Sequence, residues 1–260
     1  MIDHRTGMAV DPEKHAVIGL SVAATNYREA TEWCRSKALQ ADRAYAVSAA
    51  NTHLASHARH DPEFGKVMEQ FDLICPDGMP LVWSLNRKLS RAKRLTDRVY
   101  GPNLMLSILE ATEGASGESH FFLGGKPETL DKLSRRFERN EIAGTYSPPF
   151  SEDGTWSPEE NEKMVKLIQA SGAKYVWIGL GCPKQEQWIV KNLRELPAAV
   201  YFGVGAAFAF HTGEVRQAPA FFQKMGMEWL FRLLAEPRRL WKRYAVYNSL
   251  FLYYTLKDRV

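Results

Sequence analysis

Short, continuously apolar runs recur along the chain at residues 16–22, 44–48, 71–75, 120–123, 174–180 and 199–204. Strict polar–apolar alternation marks a strand with one wet face, whereas an unbroken run marks a strand covered on both. Segments with helical signals lie between these runs. Asn26 precedes 27–37, Gly101-Pro102 opens 103–115, and Lys126-Pro127 opens 128–140. Ser157-Pro158-Glu159-Glu160 supplies a cap, a first-turn proline and two acids. This alternation predicts an α/β fold, a mostly parallel sheet with helices on both faces. Residues 146–157, rich in Pro, Ser and Gly, read as a loop.

The last fifty residues change character. Residues 227–234 are apolar at helical spacing, and Pro237 stops that helix and can start another. Beyond it Leu240, Tyr244, Tyr247, Phe251 and Tyr254 recur at steps of four and three. At about 100° per residue they share one face, with Arg238, Arg239 and Lys242 mostly opposite. A basic amphipathic helical C-terminal appendage of this kind suits a helix lying in a membrane interface. The same pattern also suits a terminal helix packed on its own domain. The division this implies is a sheet domain over 1–212 and an appendage over 213–260.

Composition narrows the picture. The 260 residues suffice for one sizeable domain, and 45% hydrophobic with 25% charged residues exclude global disorder. Three distant cysteines, Cys34, Cys75 and Cys182, form neither a disulfide framework nor a zinc spacing, which points to a reducing cytoplasm. Residues 1–14 carry five charges and no apolar stretch, so no signal peptide is expected there. No apolar run reaches 18 residues, the minimum for a membrane span. The net charge is only +4, yet residues 224–260 hold eight Lys or Arg against three acids. All of the excess positive charge therefore sits in the tail, where a phospholipid surface or a nucleic acid would meet it.

In such a fold ligands bind beyond the carboxyl ends of the strands, so the turns after the apolar runs hold the chemistry. Asn51 and Thr52 follow the second run, where they can cap a helix or bind a ligand. Asp77, in Pro76-Asp77-Gly78, follows the third. It can accept a proton from a hydroxyl or serve as a turn residue. Arg98 precedes a helix start and can clamp an anion through two N–H groups. Gly124-Gly125-Lys126 at a helix N-terminus forms a candidate phosphate cradle without Walker spacing. Gly181-Cys182-Pro183-Lys184-Gln185 is a second glycine-rich turn opening a helix. Gly203-x-Gly205 is half a dinucleotide fingerprint, which speaks against a nicotinamide oxidoreductase. Taken together, these turns point to a nucleotide-diphosphate site.

In order along the chain stand Cys75-Pro76-Asp77-Gly78-Met79, Arg98-Val99-Tyr100-Gly101, Phe122-Leu123-Gly124-Gly125-Lys126-Pro127 and Gly179-Leu180-Gly181-Cys182-Pro183-Lys184-Gln185-Glu186. Gly203-Val204-Gly205-Ala206-Ala207-Phe208, Arg216-Gln217-Ala218-Pro219 and the run from Glu228 to Tyr244 follow. This ordered set resembles the WecG/TagA/CpsF glycosyltransferases from about residue 16 to residue 244. The resemblance implies an inverting transferase with a single Rossmann-like domain and with no metal or other cofactor. Such an enzyme takes a UDP-sugar (N-acetylmannosamine, its uronic acid or a related hexose) and an undecaprenyl-diphosphate-linked acceptor, in cell-surface polysaccharide synthesis. It implies Asp77 as general base. It implies substrate contacts at Asn51, Thr52, Arg98, Gly101, Asn103, Gly124, Gly125, Lys126, Gly181, Pro183, Lys184 and Gln185. It also implies a tail, with Arg232, Arg238, Arg239, Lys242 and Arg243, that closes over the site and docks on the inner face of the cytoplasmic membrane. Self-association stays open. Three positions depart from the family pattern, namely Ala49, Asn103 and Ala209, and they bear on the sugar more than on the reaction. A nucleic-acid partner for the basic aromatic tail is the competing reading, against which stands the near-neutral body.

Overall fold

The computed structural model describes residues 9–215, 218, 219, 222 and 228–258, without the side chains of residues 228, 232, 235, 239 and 243. Six parallel strands form the central sheet: β3 (Tyr45–Ala50), β4 (Leu73–Pro76), β5 (His120–Gly124), β6 (Ile142–Tyr146), β7 (Tyr175–Gly179) and β8 (Val200–Gly203). Their order across the sheet is β4-β3-β8-β7-β5-β6. The sheet is buried on both sides, as the unbroken apolar runs require. Ala46, Ile74, Phe121, Val176 and Tyr201 point into one core, and Val47, Leu73, Phe122, Trp177 and Phe202 into the other.

Helices cover both faces. One side carries α1 (Tyr27–Gln40), α5 (Gly101–Ala111), α6 (Pro127–Arg136) and α9 (Ala207–His211), through Trp33, Met105, Leu130 and Phe208. The other carries α2 (Thr52–His60), α3 (Pro62–Met68), α4 (Met79–Asn86), α7 (Pro158–Ser171) and α8 (Lys184–Asn192), through Leu54, Phe64, Leu81, Met164 and Trp188. The local signals act as physics predicts. Asn26 accepts from the Glu29 N–H at 3.0 Å at the start of α1, and Ser157 accepts from the Glu160 N–H at 3.2 Å at the start of α7. Gly172 ends α7 at φ +62°.

Two expectations about strands are corrected. Residues 16–22 do not form a strand of the main sheet. They fold as a separate antiparallel hairpin of β1 (Lys14–Val17) and β2 (Leu20–Ala23). The turn is Ile18-Gly19, with both residues at positive φ (45° and 88°), the twist that suits a two-residue hairpin loop. The sheet also has an edge strand, β6, that the apolar pattern does not mark. Its sequence, Ile142-Ala143-Gly144-Thr145-Tyr146, is half-buried. Gly144 is required there, because a Cβ would lie 2.7 Å from the Phe121 ring.

The tail forms α10 (Glu228–Ala235) and α11 (Pro237–Lys257). No helix among the described residues is long and apolar enough to cross a membrane. The aromatic stripe is turned inward rather than toward a membrane. Leu240 and Phe251 are buried, Tyr247 packs edge-on against His53 with ring centroids 4.3 Å apart, and Phe251 joins the core beneath α2. Polar contacts follow the same seam. Ser56 Oγ donates to the Tyr247 carbonyl at 2.9 Å, and Thr52 Oγ1 donates to Asn248 Oδ1 at 2.8 Å. Burial explains the choice. Aromatic and apolar side chains on that helix face gain more from burial against the domain than from exposure to water.

Candidate functional site

Two cavities meet at the carboxyl ends of β3 and β4. The first, about 390 Å³, is floored by Gly179–Cys182 after β7 and by 203–207 after β8, with Gln185 and Glu186 of α8 and Gly101 and Pro102 of α5. The second, about 220 Å³, runs between Met79 and Pro80 of α4 and the tail residues Trp229, Tyr244, Asn248 and Phe251. Asn51, His53, Asp77 and Tyr100 line both. The first cavity is built from turns and polar groups, and the second is largely aromatic.

Asp77 reaches this junction because β4 ends at Pro76 and pairs in parallel register with β3 through Ala50 and Pro76. Its N–H is held by the Ala50 carbonyl at 2.9 Å. One carboxylate oxygen, Oδ2, faces the Gly101 N–H at 3.5 Å, at the long edge of a hydrogen bond. Gly101 stands at the start of α5, so the positive end of that helix dipole is directed at the carboxylate. Arg98 is 9% exposed. Its Nη1 donates to the Asp77 carbonyl at 3.4 Å, and its guanidinium stacks over the Tyr100 ring at 4.6 Å. A buried cation is thereby fixed beside the second cavity.

Gln185 organises the first cavity. It is 3% exposed, and its Oε1 accepts from the Gly181 N–H at 3.2 Å and from the Gly205 N–H at 2.9 Å. Its Nε2 donates to Glu186 Oε1 at 2.9 Å. One side chain thus ties together the turns after β7 and β8. Gly203 is needed beside it, because a Cβ there would sit 2.9 Å from Gln185 Nε2.

The sequence-predicted residues divide between these cavities and positions outside them. Asn51, Asp77, Gly101, Gly181 and Gln185 line the first cavity, and Asn51, Thr52, Asp77 and Arg98 the second. Asn51 also caps α2, accepting from the Leu54 N–H at 3.2 Å, and Thr52 is engaged by the tail. Asn103 lies in the first turn of α5 and lines neither cavity. The Gly124-Gly125-Lys126 turn lies outside both cavities as well. Its glycines answer a packing need. A Cβ on Gly124 would meet the Gly179 backbone at 2.8 Å, and one on Gly125 would meet Phe208 at 3.4 Å. Pro183 follows a cis peptide bond and precedes α8. Lys184 is drawn to the loop after β6, donating to the Ser151 carbonyl at 2.7 Å with its ammonium 5.2 Å from the Phe150 ring. Arg238 and Lys242 are exposed on α11, whereas the side chains of Arg232, Arg239 and Arg243 lie outside the described residues.

His53, Tyr100 and Glu186 belong to the site although sequence reasoning did not single them out. His53 follows the Asn51-Thr52 turn and Glu186 follows Gln185, so adjacency to the polar turns is the signal that finds them. Cys75, beneath Asp77, is fully buried, and burial pushes its thiol up to about 12, with the Asp77 charge adding to the effect. It stays neutral and packs as a small apolar group.

Polar and glycine-rich turns gathered at the carboxyl ends of an all-parallel sheet define a Rossmann-like α/β protein with a ligand crevice at that edge. Residues 15–260 match the family model described as Glycosyl transferase WecG/TagA/CpsF family. The chain belongs to this family of glycosyltransferases.

Proposed function

We propose that this glycosyltransferase moves a sugar from a UDP-sugar to an undecaprenyl-diphosphate-linked acceptor, with inversion and without a metal. The observation that carries the reading is the position of Asp77 on the wall shared by the two cavities. The first cavity, lined by glycine-rich turns and closed by Gln185, suits a nucleotide diphosphate and its sugar. The aromatic second cavity suits a sugar acceptor, whose apolar ring faces stack on Trp and Tyr. Between them, Asp77 takes the proton from the acceptor hydroxyl. The hydroxyl oxygen bonds to the anomeric carbon, and the bond from that carbon to the UDP oxygen breaks, UDP leaving with the electron pair on the opposite face. The start of α5 and the Arg98 guanidinium offset the charge in transit.

The membrane half of this reading rests on the outer face of the tail rather than on its aromatic stripe. Trp241, Leu252, Tyr253 and Leu256 are exposed there beside Arg238 and Lys242. An exposed apolar strip flanked by cations suits the interface of an anionic bilayer. It supports a site held over the inner face of the cytoplasmic membrane, where a lipid-linked acceptor would be met.

The test of the chemistry is Asp77→Asn, assayed as UDP release with a UDP-sugar panel and a short-chain lipid-diphosphate acceptor. Loss of a general base lowers turnover on the order of 10²–10⁴. UDP binding, read by thermal shift, stays within a few-fold of wild type. Wild-type-like turnover with both substrates saturating would sink the assignment.

A further inference from the structure

A second cationic surface lies on the sheet domain, away from the tail. Helix α4 lines the aromatic cavity with Met79 and Pro80, and Trp83 follows one turn later on the same face. Trp83 is 53% exposed. A buried position would have been the expected place for so large a side chain on a helix of high mean hydropathy. The helix ends at Asn86, and residues 87–94 read Arg-Lys-Leu-Ser-Arg-Ala-Lys-Arg, five cations in eight residues with no acid among them. Their structural duties differ. Lys88 Nζ donates to the Ala16 carbonyl at 2.6 Å, and Lys93 pairs with Glu13 at 2.8 Å, so these two fasten the loop to the N-terminal segment. Leu89 anchors it in the core. Arg87, Arg91 and Arg94 are exposed and form no ion pair among the described residues.

We infer that Trp83 with Arg87, Arg91 and Arg94 forms a contact site for anionic phospholipid on the sheet domain itself, separate from the tail. The chemistry matches that occupant in two ways. Guanidinium groups without acid partners complement a dispersed negative surface, each contributing a severalfold gain in binding near such a membrane. An exposed indole beside them is amphipathic and sits at headgroup depth. The location fits as well, because Trp83 lies one helical turn from Met79 and Pro80, which line the aromatic cavity. A second contact besides the tail would restrict the orientation of that cavity on the bilayer more than a single helix does. The inference does not require the tail to bind lipid.

The test uses the full chain and vesicles of phosphatidylglycerol or of phosphatidylcholine, read by co-sedimentation. Wild type is expected on phosphatidylglycerol and not on phosphatidylcholine, with binding that falls steeply as salt rises. Arg87→Gln/Arg91→Gln/Arg94→Gln is expected to bind phosphatidylglycerol roughly tenfold or more weakly, and Trp83→Ser severalfold more weakly. Both variants should keep a cooperative thermal transition. If the triple variant does not, the three single substitutions replace it, each expected to weaken binding by about two- to fivefold. Undiminished binding in these variants, with loss in Arg238→Gln/Lys242→Gln, puts the contact on the tail alone and overturns the inference while leaving the proposed tail docking intact. Absence of wild-type binding to phosphatidylglycerol also overturns it, and UDP release by the same preparation reports separately on the sugar-transfer reading.

Discussion

At the scale of single residues, the buried polar groups have roles that the fold dictates. His120 of β5 is fully buried between Tyr175 and Trp177. The Trp177 indole N–H can only donate, and it donates to His120 Nδ1 at 3.1 Å. Nδ1 is therefore bare, and Nε2 carries the proton toward Thr112 Oγ1 at 2.9 Å. Protonating Nδ1 would set two N–H groups against each other. Burial pushes the imidazole down to about 3, against the opposing pull of Glu118. The folded pKa lies below the unfolded value of 6.5, so the unfolded chain binds the proton that the native state refuses. The contribution to stability is complete above about pH 6.5 and is lost as pH falls from there toward about 3, at up to ~1.4 kcal/mol per pH unit. Urea midpoints between pH 7 and 4 should show this slope. His120→Gln, which keeps a donor and an acceptor but does not titrate, should flatten it. At Gly124, Ala would combine φ +105° with a Cβ 2.8 Å from the Gly179 backbone. A loss of about 1–3 kcal/mol or more is expected from chemical denaturation, with the damage transmitted to the turn after β7.

At the scale of elements, the central strands were legible because sheet burial on both faces leaves an unbroken apolar run. β6 was not, because an edge strand needs no such run, and Gly144 serves the Phe121 ring rather than the pattern. The β1–β2 hairpin hid inside one run because its turn is Ile18-Gly19, apolar by composition though turned by conformation. The glycines at 124 and 125 carry two readings for a related reason. Close backbone approach and phosphate binding both demand a missing Cβ, and sequence alone does not separate them. The tail was legible as two helices, and its periodicity marked the correct face. What the pattern lacked was the partner for that face, which α2 supplies. Phe251 is 8% exposed and lies in the core beneath α2, so Phe251→Ala should cost about 3–5 kcal/mol of α11 docking. Limited proteolysis should then cut within 236–258 while the circular-dichroism melt of the sheet domain shifts far less. If the two parts instead unfold together at a lower temperature, the tail is an integral part of the core.

At the scale of the whole molecule, the two cavities draw on different parts of the chain. Among the described residues the first is lined by positions up to Phe210, from the turns after β3, β4, β7 and β8 with α5 and α8. The second draws on the tail as well: Trp229, Tyr244, Asn248 and Phe251 line it together with Asn51, Asp77 and Arg98. The turns of the first cavity could be anticipated from the sequence, since each follows a predicted strand. The second was implied only by the family resemblance, as a tail closing over the site; the pattern of residues does not give it, because it exists only once residues nearly two hundred apart in the chain are brought together, as in the Thr52–Asn248 hydrogen bond. This division predicts a separable effect. Trp229→Ala and Tyr244→Ala remove aromatic surface from the second cavity, and neither residue lines the first. If UDP occupies the first, its binding should be unchanged, and the thermal stabilisation at a fixed UDP concentration, which depends on the ratio of that concentration to Kd, should match wild type. Transfer to the lipid-linked acceptor should show a raised KM for acceptor, by about tenfold for the loss of one stacked ring worth ~1–2 kcal/mol, with kcat changed less. A raised KM for the UDP-sugar with an unchanged KM for acceptor would reverse the assignment of the two cavities. Asp77 would keep its place between them, because it lines both.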